Sequence, residues 1–356
     1  MTRFLALLLL PAVAFAQRAP AITLKQPDAK LPAEFTKIVS VRELSDGRIL
    51  VSDQKEQRLV VADLRSGKVE PVGRLGGGPG EFRNAGRLIP LAGDSTLMVD
   101  WIARRWLVLD GARIAATVPP EAPAITATNA FLLSADRSGH VLADVYARPV
   151  AGQRFNPADS MRVIRVERTT GRVDTVGRIR SRYERGRAFG RGEVSVPPLA
   201  IGEQALLFLD GWMAIARLEP YQVDWRSPDG RTIRGTPLPF TVTKVNEREK
   251  RAYLAREEKA WGRAPQYAPN PVWPENLSPF ERDALLAAPD GTVLVRRLPS
   301  ASVSDTRYDV VDRRGALVRQ ISLPENRWIV GFGRRAAYLV VTDDDGIQRI
   351  ERHPWP

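Results

Sequence analysis

Asp53, Asp100, Asp144 and Asp210 each end a short apolar run that follows a turn, and Asp343 stands in a similar place near the C-terminus. In one further run the place is taken by Arg296. Carboxylates at equivalent positions of a repeated unit could converge on one axis and hold a hard cation such as Ca2+ through oxygen ligands. That arrangement would suit a metal-dependent hydrolase or lyase. Aspartate at a strand end has a plainer use, which is to cap the next turn through its own side chain. The two readings differ in whether the carboxylates meet. Asp343-Asp344-Asp345-Gly346 reads as a hairpin turn, because Asp-Gly suits positive φ.

The most polarised stretch is residues 178–191, with six arginines against Glu184. Arg178, Arg180, Arg182, Arg185 and Arg187, with Tyr183 among them, form a candidate contact for an anion, since guanidinium forks match carboxylate, phosphate and sulfate. A solvated linker in an arginine-rich chain is the simpler reading. Only two histidines, His140 and His353, and no cysteine are present. Zinc sites with several imidazoles or thiolates are therefore excluded, as are disulfides. Neither histidine lies near a Gly-x-Ser-x-Gly elbow. No catalytic residue is assigned.

These candidates must be positioned by strands. Apolar runs alternate with Asp-Gly, Ser-Gly and Pro turns, and helical periodicity is nearly absent, which predicts many short antiparallel strands. A weak repeat emerges, clearest in Asp46-Gly47-Arg48-Ile49-Leu50-Val51-Ser52-Asp53 and in Asp290-Gly291-Thr292-Val293-Leu294-Val295. Further copies open near Asp94, Ser138, Gln204 and Ile329, giving six. The last copy has three strands, and residues 21–24 are expected to supply the fourth and close the ring.

Six copies average about 57 residues, more than compact blades of ~40–50 need, so insertions are expected at 148–160 and 243–280. The second opens as the chain's one good helix. Asn246 and Glu249 have capping-box spacing, and Tyr253, Leu254 and Trp261 would share a face. Tyr253 and Trp261 are candidate binding residues on a lid or docking element above the ring. A decorative packing helix is the alternative. The insertion continues into a Pro- and aromatic-rich segment.

Gly73-Arg74-Leu75-Gly76-Gly77-Gly78-Pro79-Gly80-Glu81-Phe82 joins the first copy to the second. No helix opens behind it and no Gly-Lys-Ser/Thr follows, so it is not a phosphate loop. Gly78-Pro79-Gly80-Glu81-Phe82, with the two clear repeats, resembles the linkers of bacterial exported six-bladed β-propellers of the NHL-repeat-like group. The resemblance implies an all-β, six-bladed propeller with one helical insertion, used mostly as a binding or scaffolding module. Catalytic propellers of the lactonase and lyase kinds hold an axial metal with acids or histidines, and no such motif is matched here.

Arg3, the apolar run 4–10 and Ala14-Phe15-Ala16 read as a signal peptide cleaved after residue 16. Residues 17–356 would then form a single exported propeller, periplasmic or extracellular, monomeric and without a lipid-modified cysteine or transmembrane segment. The whole chain carries 53 Lys and Arg against 41 Asp and Glu. That excess favours anionic partners, but export argues against nucleic acid. The sequence therefore points to non-catalytic recognition of a protein, peptide or anionic glycan of the cell envelope, with no cofactor. The alternative is the axial enzyme with Ca2+.

Overall fold

In a computed structural model the chain forms a six-bladed β-propeller, with a single helix among the described residues, as the repeats predict. The structure describes residues 20–103, 105–118, 129–146, 160–180, 188–189, 193–194, 198–265, 267 and 271–355. Both the signal-peptide reading and much of the 148–160 insertion fall outside these residues.

Blade 1 runs Ile38–Glu43, Ile49–Asp53, Arg58–Ala62 and Val69–Pro71, each strand antiparallel to the next. Blade 2 is Leu88–Pro90, Ser95–Asp100, Arg105–Asp110 and Arg113–Val118. Blade 3 is Asn129–Ala135, His140–Tyr146, Ser160–Glu167 and Val173–Arg180. Blade 4 is Gln204–Leu207, Met213–Arg217, Gln222–Arg226 and Thr232–Ile233. Blade 5 is Phe280–Ala287, Val293–Arg297, Thr306–Val311 and Leu317–Leu323. Arg327–Phe332, Ala336–Thr342 and Gln348–Pro354 make three strands of blade 6.

The ring closes differently from expectation. Ala29–Phe35 forms the outer strand of blade 6, antiparallel to Gln348–Pro354. Ala21–Ile22 instead adds a parallel edge to the outer strand of blade 5. Leu31 and Phe35 alternate inward and are buried with Tyr338 and Ile350, whereas a two-residue strand has little apolar surface to bury.

The first strands stand side by side around the axis. Between blades lie apolar clusters, such as Leu50, Leu59, Phe82, Met98 and Leu107 between blades 1 and 2. In four antiparallel strands, the turn between the second and third falls at the same end as the exit of the fourth. The linkers therefore share that end with the second-to-third turns, and the first-to-second turns occupy the other. The latter end is stitched across blades. Arg42 donates to the Gly93 carbonyl at 2.8 Å, Ser45 to Asp94 at 2.7 Å, and Arg334 to the Ser45 carbonyl at 3.0 Å.

The glycine-rich linker is a small structure in its own right. Arg74–Leu75 pairs in parallel with Glu81–Phe82, and the Glu81 carboxylate folds back to accept from Gly78 N at 2.7 Å and Arg74 Nε at 2.8 Å. A Cβ on Gly76 would lie 2.1 Å from that carboxylate, so a side chain there would push Glu81 off its two bonds. Phe82 then plugs the core.

Candidate functional site

The linker end carries the insertion. Helix α1, Glu247–Trp261, starts where Asn246 Oδ1 accepts from the Arg248 and Glu249 backbone at 2.9 and 3.1 Å. Only half of the expected capping box forms. Glu249 does not turn back to Asn246; its carboxylate accepts from Ala301 N, 2.8 Å away in the second-to-third turn of blade 5. Arg248 and Arg256 donate to the Ala301 and Pro299 carbonyls of that same turn. Tyr253 is buried with Leu199 and Leu277, and Leu254, Tyr267, Trp273 and Leu298 pack around them.

From this anchorage the charges of α1 act on groups beyond blade 5. Burial lowers the Arg256 guanidinium against the opposing charges of Glu249 and, from the linker between blades 5 and 6, Glu325. At the start of the first strand of blade 1, partial burial pulls the Lys37 ammonium below its ordinary value. Glu257 on α1 works against that pull, and Lys55 adds to it. A helix tied to blade 5 thus feels blade 6 and blade 1. Beside it, the Tyr253 and Tyr267 hydroxyls meet at 2.8 Å, and exposed Arg282 of blade 5 points Nη2 at Tyr253 from 3.5 Å. Burial, the bond to Tyr253 and the Glu257 charge all raise the Tyr267 phenol. It therefore stays a neutral hydroxyl. Lys37, Arg282 and the Tyr267 hydroxyl thus share the linker end of the ring with a helix that carries Tyr253 and Glu257.

The strand-end acids have other employment. Fully buried Asp53 accepts from the backbone N–H of Thr36 at 2.8 Å, Lys37 at 3.0 Å and Glu56 at 3.3 Å. Asp100, equally buried, accepts from Arg83 N at 2.9 Å, Ala103 N at 3.1 Å and Arg105 Nε at 3.2 Å. Each carboxylate latches the chain entering its blade, which is the capping use. Asp210 is not their equivalent. The strand the sequence suggested, 204–210, is the first of blade 4, so Asp210 lies in a turn at the opposite end, paired with Arg313 at 2.6 Å. The register instead puts Arg217 in the place of Asp53, and in blade 5 Arg297 rather than Arg296. Asp343 caps its own turn by accepting from Ile347 N and Arg349. The side chain of Asp144 lies outside the described residues, although its strand is in place. Among the described residues no three of His, Cys, Asp and Glu stand together as a metal group.

Of the arginine stretch, Arg178 and Arg180 end the outer strand of blade 3. The Arg178 carbonyl accepts from Arg217 at 2.9 Å, and Arg180 pairs with Glu219 at 3.1 Å. Arg182, Tyr183, Arg185 and Arg187 lie outside the described residues, as does the side chain of Trp261. Tyr253 lies on α1 with its ring largely buried against Leu199 and Leu277. Sequence reasoning missed Lys37, Glu257, Tyr267 and Arg282. Lys37 and Arg282 flank starts of first strands, a place recognisable only once the blade register is known.

No family model matches the chain, and no curated protein does. Among solved structures it is similar to a member of the DUF4221 family from Bacteroides vulgatus. That likeness has a TM-score of 0.50 and 9% identity over 93% of this chain and 94% of the other. It is also similar to a calcium-binding protein, regucalcin, from Agrobacterium tumefaciens, with a TM-score of 0.45 and 11% identity over 95% and 98%. At such identities the likeness shows the fold alone. No helix of the described residues is long and apolar enough to cross a membrane.

Proposed function

We propose that this protein is a non-catalytic recognition propeller of the cell envelope, which receives an acidic ligand at the axial mouth beneath α1. Carboxylates of a protein, a peptide or an anionic glycan would meet Lys37 and Arg282, with the Tyr267 hydroxyl as a neutral hydrogen-bonding partner. The observation that carries this reading is the placement of α1, tied to blade 5 by three hydrogen bonds and set close enough for Glu257 to act on Lys37. Long insertions on a rigid scaffold are where binding surfaces are commonly built. An axial cation held by the strand-end acids would have to compete with the N–H groups that already bond Asp53 and Asp100.

The test is calorimetry with alginate oligosaccharide, poly-glutamate and neutral dextran as probes. Binding of an acidic probe should weaken about tenfold in Lys37→Ala and in Arg282→Ala, the loss expected for one charge-assisted hydrogen bond. Equal binding of dextran, or acidic binding indifferent to both substitutions, would sink the proposal. Stoichiometric calcium in protein purified without chelator would support the axial-cation reading instead.

A further inference from the structure

A second feature of the linker end lies away from the axis, on the rim of blades 1 and 2. Among the described residues the strongly exposed large apolar side chains are Leu75, Trp101, Ile102, Val173 and Val242. Four of the five belong to linkers or second-to-third turns of this one end. Single exposed apolar residues are ordinary on protein surfaces. Three of these are not single, because shared polar anchors gather them. Asp100 accepts from Ala103 N, in the turn that carries Trp101 and Ile102, and also from Arg83 N in the glycine-rich linker. Arg105, which follows the turn, donates to the Gly77 carbonyl at 3.0 Å and the Gly76 carbonyl at 3.4 Å, beside Leu75.

Cations flank the three. The Arg74 side chain is 81% exposed, and the Arg83 guanidinium lies over Gly77, within 3.5 Å of where a Cβ would stand. The nearby acid Glu81 is spoken for by Arg74 and Gly78 N, and those bonds hold its carboxyl below the usual range. The rim is therefore apolar at its tips, with Arg83 and the exposed, Glu81-paired guanidinium of Arg74 around them.

We propose that this rim docks on an anionic phospholipid surface. Trp101, Ile102 and Leu75 would enter the headgroup boundary, and Arg74 and Arg83 would meet lipid phosphates. The apolar groups sit on two separate loop tips rather than on one flat patch, which suits shallow insertion between headgroups better than a protein interface. An indole is at home where one side is apolar and the other wet. Guanidinium forks match phosphate, and basic residues gain most from an anionic leaflet at low salt. The residues between Gly76 and Gly80 lack bulky side chains, so the backbone can approach the plane closely. With few inserted groups the docking is reversible, as it is for proteins held by one weak membrane signal. It does not depend on the axial ligand.

Co-sedimentation of the mature protein with phosphatidylcholine vesicles, with and without phosphatidylglycerol, tests it. Binding is expected only to the anionic vesicles. It should fall about tenfold in the double variant Trp101→Ser, Ile102→Ser and collapse at high salt, where the Debye length shrinks to a few Å. Both substitutions are at exposed turn positions, and an unchanged thermal transition would establish that the variant folds. Absence of vesicle binding overturns the proposal. So does salt-sensitive binding that the double variant retains, which would be attraction by net charge alone. Lys37→Ala should bind vesicles like the parent, so failure here and failure of the axial reading are separable.

Discussion

Blades 1 and 2 and blades 4 and 5 solve one problem with opposite charges. In blades 1 and 2 the last residue of the second strand is Asp53 or Asp100, and its carboxylate accepts from N–H groups of the chain entering the blade. In blades 4 and 5 the same position holds Arg217 and Arg297, which donate to a carbonyl of the preceding blade's outer strand and to one of the incoming linker, respectively. Arg217 reaches the Arg178 carbonyl at 2.9 Å and Arg297 the Pro239 carbonyl at 3.2 Å. The counter-charge stays on the third strand and changes sign with the latch. Arg105 on the third strand faces Asp100, whereas Asp224 and Asp309 on third strands face Arg217 and Arg297. A linker offers both donors and acceptors, so either sign can hold it. What differs is who neutralises the latch. Asp53 relies chiefly on backbone groups, while Arg297 relies on Asp309, with Tyr221 and Gln320 completing the carboxylate shell at 2.7 Å each.

That difference sets the largest expected effect. Arg297→Met strips the cation from Asp309, which is 1% exposed, and stranding a buried charge should cost about 3–5 kcal/mol. Adding Asp309→Asn should recover most of the loss, because the pair lies within one blade and its members answer to each other. Asp53→Ala should cost about 2–4 kcal/mol through unsatisfied N–H groups, and no second-site substitution offers an equivalent rescue. Denaturant unfolding of the single and double variants is the measurement. Equal rescue in both blades, or none in either, would erase the distinction.

The fold was legible because turn glycines and apolar runs repeat. The latch was legible only in part. Asp53 and Asp100 were visible as strand-end acids, and the capping use was one of two available readings. Their counterparts were hidden by the change of sign, since a search for equivalent acids passes over Arg217 and Arg297. It settles on Asp210, which merely follows another apolar run. The missed strand Met213–Arg217 carries two alanines and a methionine where other blades have β-branched residues, so its β signal was weak. Ring closure was misplaced for a similar reason. Ala29–Phe35 contains Pro32, Lys30 and Glu34, and an edge strand tolerates what a central strand would not.

A smaller effect sharpens the comparison inside blade 2. Arg105 has Asp100 on one side and the Gly76, Gly77 and Glu81 carbonyls on the other. Arg105→Lys keeps the charge beside Asp100 but cannot span the carbonyls with one ammonium. A loss of about 1–2 kcal/mol is expected, together with faster proteolysis confined to the 73–82 linker. A uniform rise in proteolysis around the ring would mean that Arg105 supports the blade rather than the linker.

Blade 6 offers a third arrangement and the smallest effect. There the acid is Glu351, which draws Lys30 from the closing strand, Arg327 from the first strand and His353 to within 3.0, 3.0 and 3.2 Å. Burial opposes its ionisation, but the bonds from Lys30 and His353 and the charge of Arg327 outweigh it and hold the carboxyl below the usual range. A group whose value falls on folding stabilises the fold above its unfolded value, about 4.3 for glutamate, and loses that contribution as pH drops through the folded value. Lys30 is largely exposed, so screening reduces the gain to about 1 kcal/mol at neutral pH. Glu351→Gln should therefore be less stable than the parent at pH 7, and the gap should close below about pH 4. Unfolding at several pH values reads it directly. A gap that persists into acid would assign Glu351 to packing, leaving the ring closed by the apolar face of Ala29–Phe35 alone.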